Sequence, residues 1–183
     1  MKAHSIIELE SYRLSPLEQS HHEQLYPILR DRSTMKYITP HPVQTIEECY
    51  IKIRQYIENN NKEKEVSWVI MKRDSSTIIG LFRLHSLNLW HQKAKLGVII
   101  HPQYQQKGVM NEIFPAILDY VFHELRLNRL VGDIFCNNEG SKRILEKHGF
   151  KLEGTLRETD FDGEVYYDTA VYSLLRKEYV PIN

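Results

Sequence analysis

The stretch that most limits what this chain can fold into is a change of hydrophobic period around residue 105. Leu96-Gly97-Val98-Ile99-Ile100 is a short, mostly branched apolar run closed by His101-Pro102, and it reads as a buried strand that stops at a proline. Beyond it, apolar residues recur at Met110, Ile113, Phe114, Ile117, Leu118, Val121, Phe122 and Leu125, the spacing of one helix face. The segment between them, Tyr104-Gln105-Gln106-Lys107-Gly108-Val109-Met110-Asn111-Glu112, therefore carries the chain from a strand into a helix start. A helix start leaves several backbone N–H groups without intrahelical partners. With the positive end of the helix dipole they make an anion site, and Gly108 lets a bulky phosphate reach the main chain. The loop suits a pyrophosphate, although a single loop glycine also serves a plain turn.

A second segment repeats the arrangement. The apolar run Arg129-Leu130-Val131-Gly132-Asp133-Ile134-Phe135 leads into Asn137-Asn138-Glu139-Gly140-Ser141-Lys142-Arg143-Ile144-Leu145-Glu146-Lys147-His148-Gly149-Phe150. Asn138 is a good helix N-cap, and Gly149 stands where a C-terminal stop is expected. Strand, phosphate loop, helix, strand and a short Asn-capped helix ending in Gly-Phe resemble the GNAT superfamily of acetyl-CoA-dependent N-acetyltransferases. Its acyl-CoA loop has the form Arg/Gln-x-x-Gly-x-Gly/Ala; Gln105 and Gly108 match, while Met110 replaces the last small residue. Lys147-x-Gly149-Phe150, Glu153-Gly154-x-Leu156-Arg157 and Asp168-x-x-x-Tyr172-x-Leu174-Leu175 look most like the branch that acetylates N-terminal amines of ribosomal proteins, over about residues 8 to 179.

The resemblance implies an α/β (α+β) fold, a mixed and mostly antiparallel sheet of about seven strands flanked by helices and splayed at the acyl-CoA site. The elements read along the chain agree with it. Tyr12-Arg13-Leu14 alternates like a first strand, and a helix runs through His22, Leu25, Ile28 and Leu29. Thr45 caps a second helix that reaches Asn59-Asn60-Asn61, with Glu48 three residues after the cap. Val66 to Met71 and Thr77 to His85 are strands, and Leu152 to Thr159 and Val165 to Leu174 form a hairpin around Asp162-Gly163. Segments 17 to 61 lie outside the CoA motifs and are the expected source of a substrate cleft.

At 183 residues the chain reads as one domain, large enough to bury about 70% of its unfolded surface without staples. Its 24 basic residues balance 24 acidic ones, which gives no basic excess for nucleic acid. No run of about 18 apolar residues exists for a membrane span, and the N-terminus lacks a signal-peptide core. Cys49 and Cys136 have no metal-like spacing and fit reduced thiols in a cytoplasmic protein; Cys136, inside an apolar run, reads as inert. Adjacent His21-His22 likewise lack metal-ligand spacing, so no metal is expected.

Acetyl transfer needs an amine that loses its proton, a carbonyl that is held, and a thiolate that is stabilised. Many superfamily members use a tyrosine on the short helix for the last task; the equivalent position here is Leu145. Ser141 matches the serine of the ribosomal-protein branch and is the candidate donor to sulfur, unless it only completes the first helical turn. By resemblance Asn138 bonds the pantetheine arm; by local physics it caps the helix, and both can hold. Val98, Ile99 and Ile100 would offer backbone groups to the pantetheine, and Gln105, Gln106, Lys107, Gly108, Val109, Met110 and Asn111 would hold the pyrophosphate. Branch members carry Glu two residues before the glycine of the strand, where this chain has Lys95, so the general base is open. His85, His91, Glu153, Asp160 and Asp168 are candidates, as is water, and His85 would titrate near neutrality. Lys95 either faces the acceptor cleft or, by strand alternation, the outer side. Trp90, in a polar loop, could line the acceptor pocket. The partners implied are acetyl-CoA as co-substrate and a primary amine, a peptide N-terminus or a small molecule, with a homodimer allowed for and neither nucleic acid nor membrane. A CoA-binding or acyl-CoA-sensing module without turnover is the alternative.

Overall fold

The computed structural model describes residues 5–162 and 164–181, so the turn expected at Asp162-Gly163 falls partly outside the described residues, as do the first four of the chain. The strands are β1 (Ile7–Glu8), β2 (Tyr12–Pro16), β3 (Val66–Lys72), β4 (Ile78–Asn88), β5 (Lys93–Ile100), β6 (Arg129–Phe135), β7 (Lys151–Phe161) and β8 (Tyr166–Leu175). They form one sheet of eight in the order β1-β2-β3-β4-β5-β6-β8-β7. Every pairing is antiparallel except β5 with β6. The additional strand relative to the expected seven is β1, whose two residues are too short to show a period.

The helices are α1 (His22–Leu29), α2 (Arg32–Met35), α3 (Ile46–Asn61), α4 (Val109–Asp119) and α5 (Glu139–Lys147). Thr45 caps α3 by accepting the Glu48 N–H, while Glu48 reaches back to the Gln44 N–H. The apolar stripe of α4 lies against the sheet with Phe82, Leu84 and Leu130, and α5 joins the same core through Leu145. On the opposite face α1 and α3 close over Val69, Leu81 and Ile99 with Leu25 and Ile53. The result is a sheet covered on both faces, as expected from its long apolar strands. Among the described residues no helix is long and apolar enough to cross a membrane.

The feature that positions a site is the incomplete pairing of β5 and β6. Their ladder has three rungs, Lys93 with Arg129, Ala94 with Leu130 and Lys95 with Val131. Past that point β5 stays bonded to β4 as far as Ile100, and β6 stays bonded to β8 as far as Phe135. The two strands splay between them, as the sequence led one to expect. The packing of α5 bears on this gap: a Cβ on Gly132 would lie 2.9 Å from Leu145 Cδ1, so Leu145 sits against bare backbone at the first unpaired residues of β6.

Candidate functional site

On the α4 side of the splay, the loop behaves as its residues suggested. Gly108 is the N-cap of α4 at φ 80°, a left-handed conformation that costs a glycine little, and Gln106 is also left-handed at φ 59°. The loop's own bonds run from the Gln105 N–H to Pro102 and from the Asn111 and Glu112 N–H groups to the Gly108 carbonyl. Among the described residues the N–H groups of 106–109 have no protein partner, which leaves them for an anion at the positive helix end. Gln105 itself is spoken for, since its Nε2 donates to the Ile100 carbonyl at 2.9 Å. Lys147 Nζ donates to Asn111 Oδ1 at 2.7 Å and ties the end of α5 to the start of α4.

Asn138 caps α5, its Oδ1 accepting the Ser141 N–H at 3.1 Å. The first turn is thus held by Asn138 and by the Ser141 backbone. The Ser141 hydroxyl has no hydrogen bond to any described residue and lines a cavity of about 540 Å³ that passes through the splay. Leu145, buried to 2% exposure, also lines it and offers no hydroxyl.

The other side of the cavity is set by three rungs of the β4–β5 ladder. Leu81 pairs with Ile99, Arg83 with Gly97 and His85 with Lys95, so these residues share the face under α1 and α3. Arg83, His85 and Lys95 all line the cavity, and Tyr37 and Ile38 close it from the chain after α2. His85 Nδ1 lies 3.3 Å from Ser86 Oγ, and its Nε2 would stand 3.7 Å from a Cβ on Gly97, just where β5 has left β6. Burial first, then the charges of Arg83 and Lys95, hold the His85 pKa below its ordinary value of 6.5. The ring is therefore neutral near pH 7.

Each cation on this wall has a carboxylate. Arg83 is gripped by Glu65, which is 2% exposed, through Nε to Oε1 and through Nη2 to Oε2 at 2.8 Å. Ser67 donates to Glu65 at 2.7 Å, and the Tyr56 ring lies 3.7 Å from the guanidinium carbon. Lys95 bonds Asp133 of β6 across the start of the splay. Lys95 thus faces the cleft, which resolves the alternation left open above.

Of the residues singled out from the sequence, Ser141, Asn138, His85, Val98, Ile99 and Met110 meet around this cavity. Ile100 at the end of β5, Gln105, Gln106, Lys107 and Gly108 in the loop, and Val109 and Asn111 at the start of α4 lie beyond its lining. Among the candidate bases, Asp160 also lines the cavity, but its Oδ2 already accepts from the Thr159 and Thr169 hydroxyls at 2.9 and 2.6 Å. Glu153 is bound to Arg129 and Ser173, and Asp168 accepts the Glu158 N–H inside a bulge of β7. His91 stands in the β4–β5 turn, its N–H bonded to Asn88. Trp90, expected as a lining residue of the acceptor pocket, is 90% exposed there and does not line the cavity, whereas Tyr37 does. Cys136 is exposed just past β6 rather than shut inside the apolar run, because β6 ends at Phe135. Asp133, Glu65 and Tyr56 were passed over. Only the period of β6, which puts Asp133 on the face of Val131, could have pointed to one of them.

The chain matches the family model described as "Acetyltransferase (GNAT) domain" over residues 12–151. It is 28% identical over 171 residues to an uncharacterized N-acetyltransferase, YoaA, of Bacillus subtilis, covering 93% of this chain and 97% of that one. It is 29% identical over 126 residues to a putative ribosomal N-acetyltransferase, YdaF, of the same organism, covering 69% of this chain and 66% of that one. The fold superposes with a TM-score of 0.83 and 25% identity on spermidine N-acetyltransferase from Vibrio cholerae in complex with CoA and spermine, covering 92% of this chain and 98% of that one. With a glycine-capped loop into α4, a splayed parallel strand pair and an Asn-capped short helix beside one cavity, the chain belongs to the GNAT acetyltransferase family and is an N-acetyltransferase.

Proposed function

We propose that the chain moves the acetyl group of acetyl-CoA to a primary amine by direct attack, with both substrates bound together and the full length acting as one domain. The observation that carries this reading is the cavity through the splay, which has an unbonded hydroxyl, Ser141, on one wall and a neutral imidazole, His85, on the other. Acetyl-CoA supplies the acetyl carbonyl and a thiolate leaving group. The N–H groups of 106–109 and the α4 N-terminus hold the pyrophosphate, and the unpaired edge of β5 at Val98 to Ile100 with Asn138 lines the pantetheine path. As the amine nitrogen bonds the acetyl carbon, its proton passes to His85 Nε2, the C–S bond breaks, and the Ser141 hydroxyl donates to the departing sulfur. A thiolate titrating near ~8.5 is a modest base, so a hydroxyl hydrogen bond is adequate help.

Cys49 and Cys136, both free thiols, fit a reducing cytoplasmic setting. A screen of CoA thiol release with peptides and small amines tests the reading. Release that depends on added amine is expected. Binding of acetyl-CoA with no amine-dependent release would make the chain a CoA-binding module instead.

A further inference from the structure

We infer that the acceptor amine carries a carboxylate close to the nitrogen, and that Arg83, assisted by Lys95, is the residue that selects it. This rests on the acetyl-transfer reading above and concerns only which amines the site admits.

The argument turns on which polar atoms in the cavity are already used. Arg83 spends Nε and Nη2 on the buried Glu65 and is stacked on Tyr56, so its plane is fixed. Nη1 has no partner among the described residues, and Arg83 lines the cavity. Lys95 carries three N–H donors and gives one to Asp133. Of the carboxylates that line the cavity, Asp133 gives Oδ2 to Lys95 and Asp160 gives Oδ2 to two threonine hydroxyls, and the Oδ1 atom of each has no partner among the described residues, so the cavity also holds acceptors for an ammonium. The wall therefore has cationic donors to spare on both sides of His85, with Arg83 two residues along β4 and Lys95 across the ladder.

An amine held at His85 Nε2, above Gly97, lies beside both. A carboxylate on the same small molecule or residue reaches Arg83 Nη1, and a charge-assisted bond of this kind is about twice as strong as one to a neutral carbonyl. Glu65 and Tyr56 act only as positioning residues, by keeping the guanidinium still. Two sources share the recognised chemistry, the α-carboxylate of a free amino acid and the side-chain carboxylate of an N-terminal Asp or Glu.

The test is kcat/KM for thiol release, expressed per concentration of unprotonated amine so that differing amine basicities do not enter. L-alanine is compared with L-alaninamide, Asp-Ala-Ala amide with Asn-Ala-Ala amide, and spermidine is run beside them. A preference of about tenfold or more for the carboxylate member of one pair is expected, and the pair that shows it identifies the source. The preference should shrink in Lys95→Gln, whose ion pair is solvent-accessible, and vanish in Arg83→Gln combined with Glu65→Gln, which avoids an unpaired buried carboxylate. Should the double variant not fold, the parent enzyme and Lys95→Gln still decide. Equal or better use of the amides or of spermidine overturns the inference and leaves acetyl transfer standing. Release with no amine at all overturns both.

Discussion

Asn138 and Ser141 share one helical turn, and truncating each should produce opposite phenotypes. Asn138 Oδ1 accepts the Ser141 N–H at 3.1 Å at the start of a nine-residue helix. Replacing an Asn cap by Ala costs about 1 kcal/mol, which in a chain of this size lowers Tm by about 2–4 °C. Ser141→Ala leaves that bond intact because only the Ser141 backbone takes part in it. Its hydroxyl has no hydrogen bond to any described residue, and alanine is the better helix former by a few tenths of a kcal/mol, about 0.5 at most. Ser141→Ala should therefore keep or slightly raise Tm. If the hydroxyl assists the departing sulfur, turnover at saturating substrates should fall about 10- to 100-fold, with acetyl-CoA affinity nearly unchanged. Differential scanning fluorimetry and thiol-release kinetics on the two single variants decide the matter. Parent-like turnover in Ser141→Ala would refute the assignment, and a loss of Tm matching Asn138→Ala would refute the account of the cap.

His85 accepts a proton only when neutral, and its pKa lies below 6.5, so turnover should rise with pH through a value under 6.5; a pH–rate profile of His85→Gln should show a much lower rate and no such limb. His148, 8% exposed, with no partner for either ring nitrogen among the described residues and in T-shaped contact with Phe114, has its pKa lowered by burial and then by Lys147. Its neutral form favours the fold, so its contribution is present above the unfolded value of 6.5 and is lost as pH falls below it; denaturant melts near about pH 5 and pH 7.5 should show a smaller acid loss in His148→Phe. Gly132→Ala should destabilise by about 1–3 kcal/mol through overpacking on Leu145. That cost should shrink in a Leu145→Ala background, and strict additivity in the double-mutant cycle would show that the two do not touch.

What could be read in advance was whatever repeats locally. The α4 stripe from Met110 to Leu118, the apolar β6 run and the Asn138 cap are each written within a dozen residues and fold as expected, whereas the end of the expected stripe, at Val121 and Phe122, lies in a π-helical turn over Tyr120–Glu124. The loop before α4 was legible because a strand, a proline, a glycine and a helix period must be joined in that order. The acceptor wall was not. Lys95 finds Asp133 38 residues away, and Arg83 finds Glu65 across the β3–β4 turn, so neither pair leaves a period to detect. Trp90 was misplaced because a polar loop around an aromatic says only that it is near the surface. Asp168 fits the family pattern by position, yet in the fold it holds a bulge where β7 carries extra residues between Leu156 and Asp160.

The same non-local contacts explain why the splay persists. The Lys95–Asp133 pair is the only named polar link across the opening strands among the described residues, but its side chains are 45% and 28% exposed. A pair so accessible is worth under about 1 kcal/mol, too little to set the distance between two strands. Packing sets it instead. Leu145 rests on Gly132, Met110 and Phe114 fill the α4 side, and both strands keep their outer ladders to β4 and β8. Since hydrophobic burial holds the gap open, the polar groups along it are free of that task, and under the proposed reaction they would act on what enters: His85 as the proton acceptor, and Arg83 and Lys95 through their spare donors.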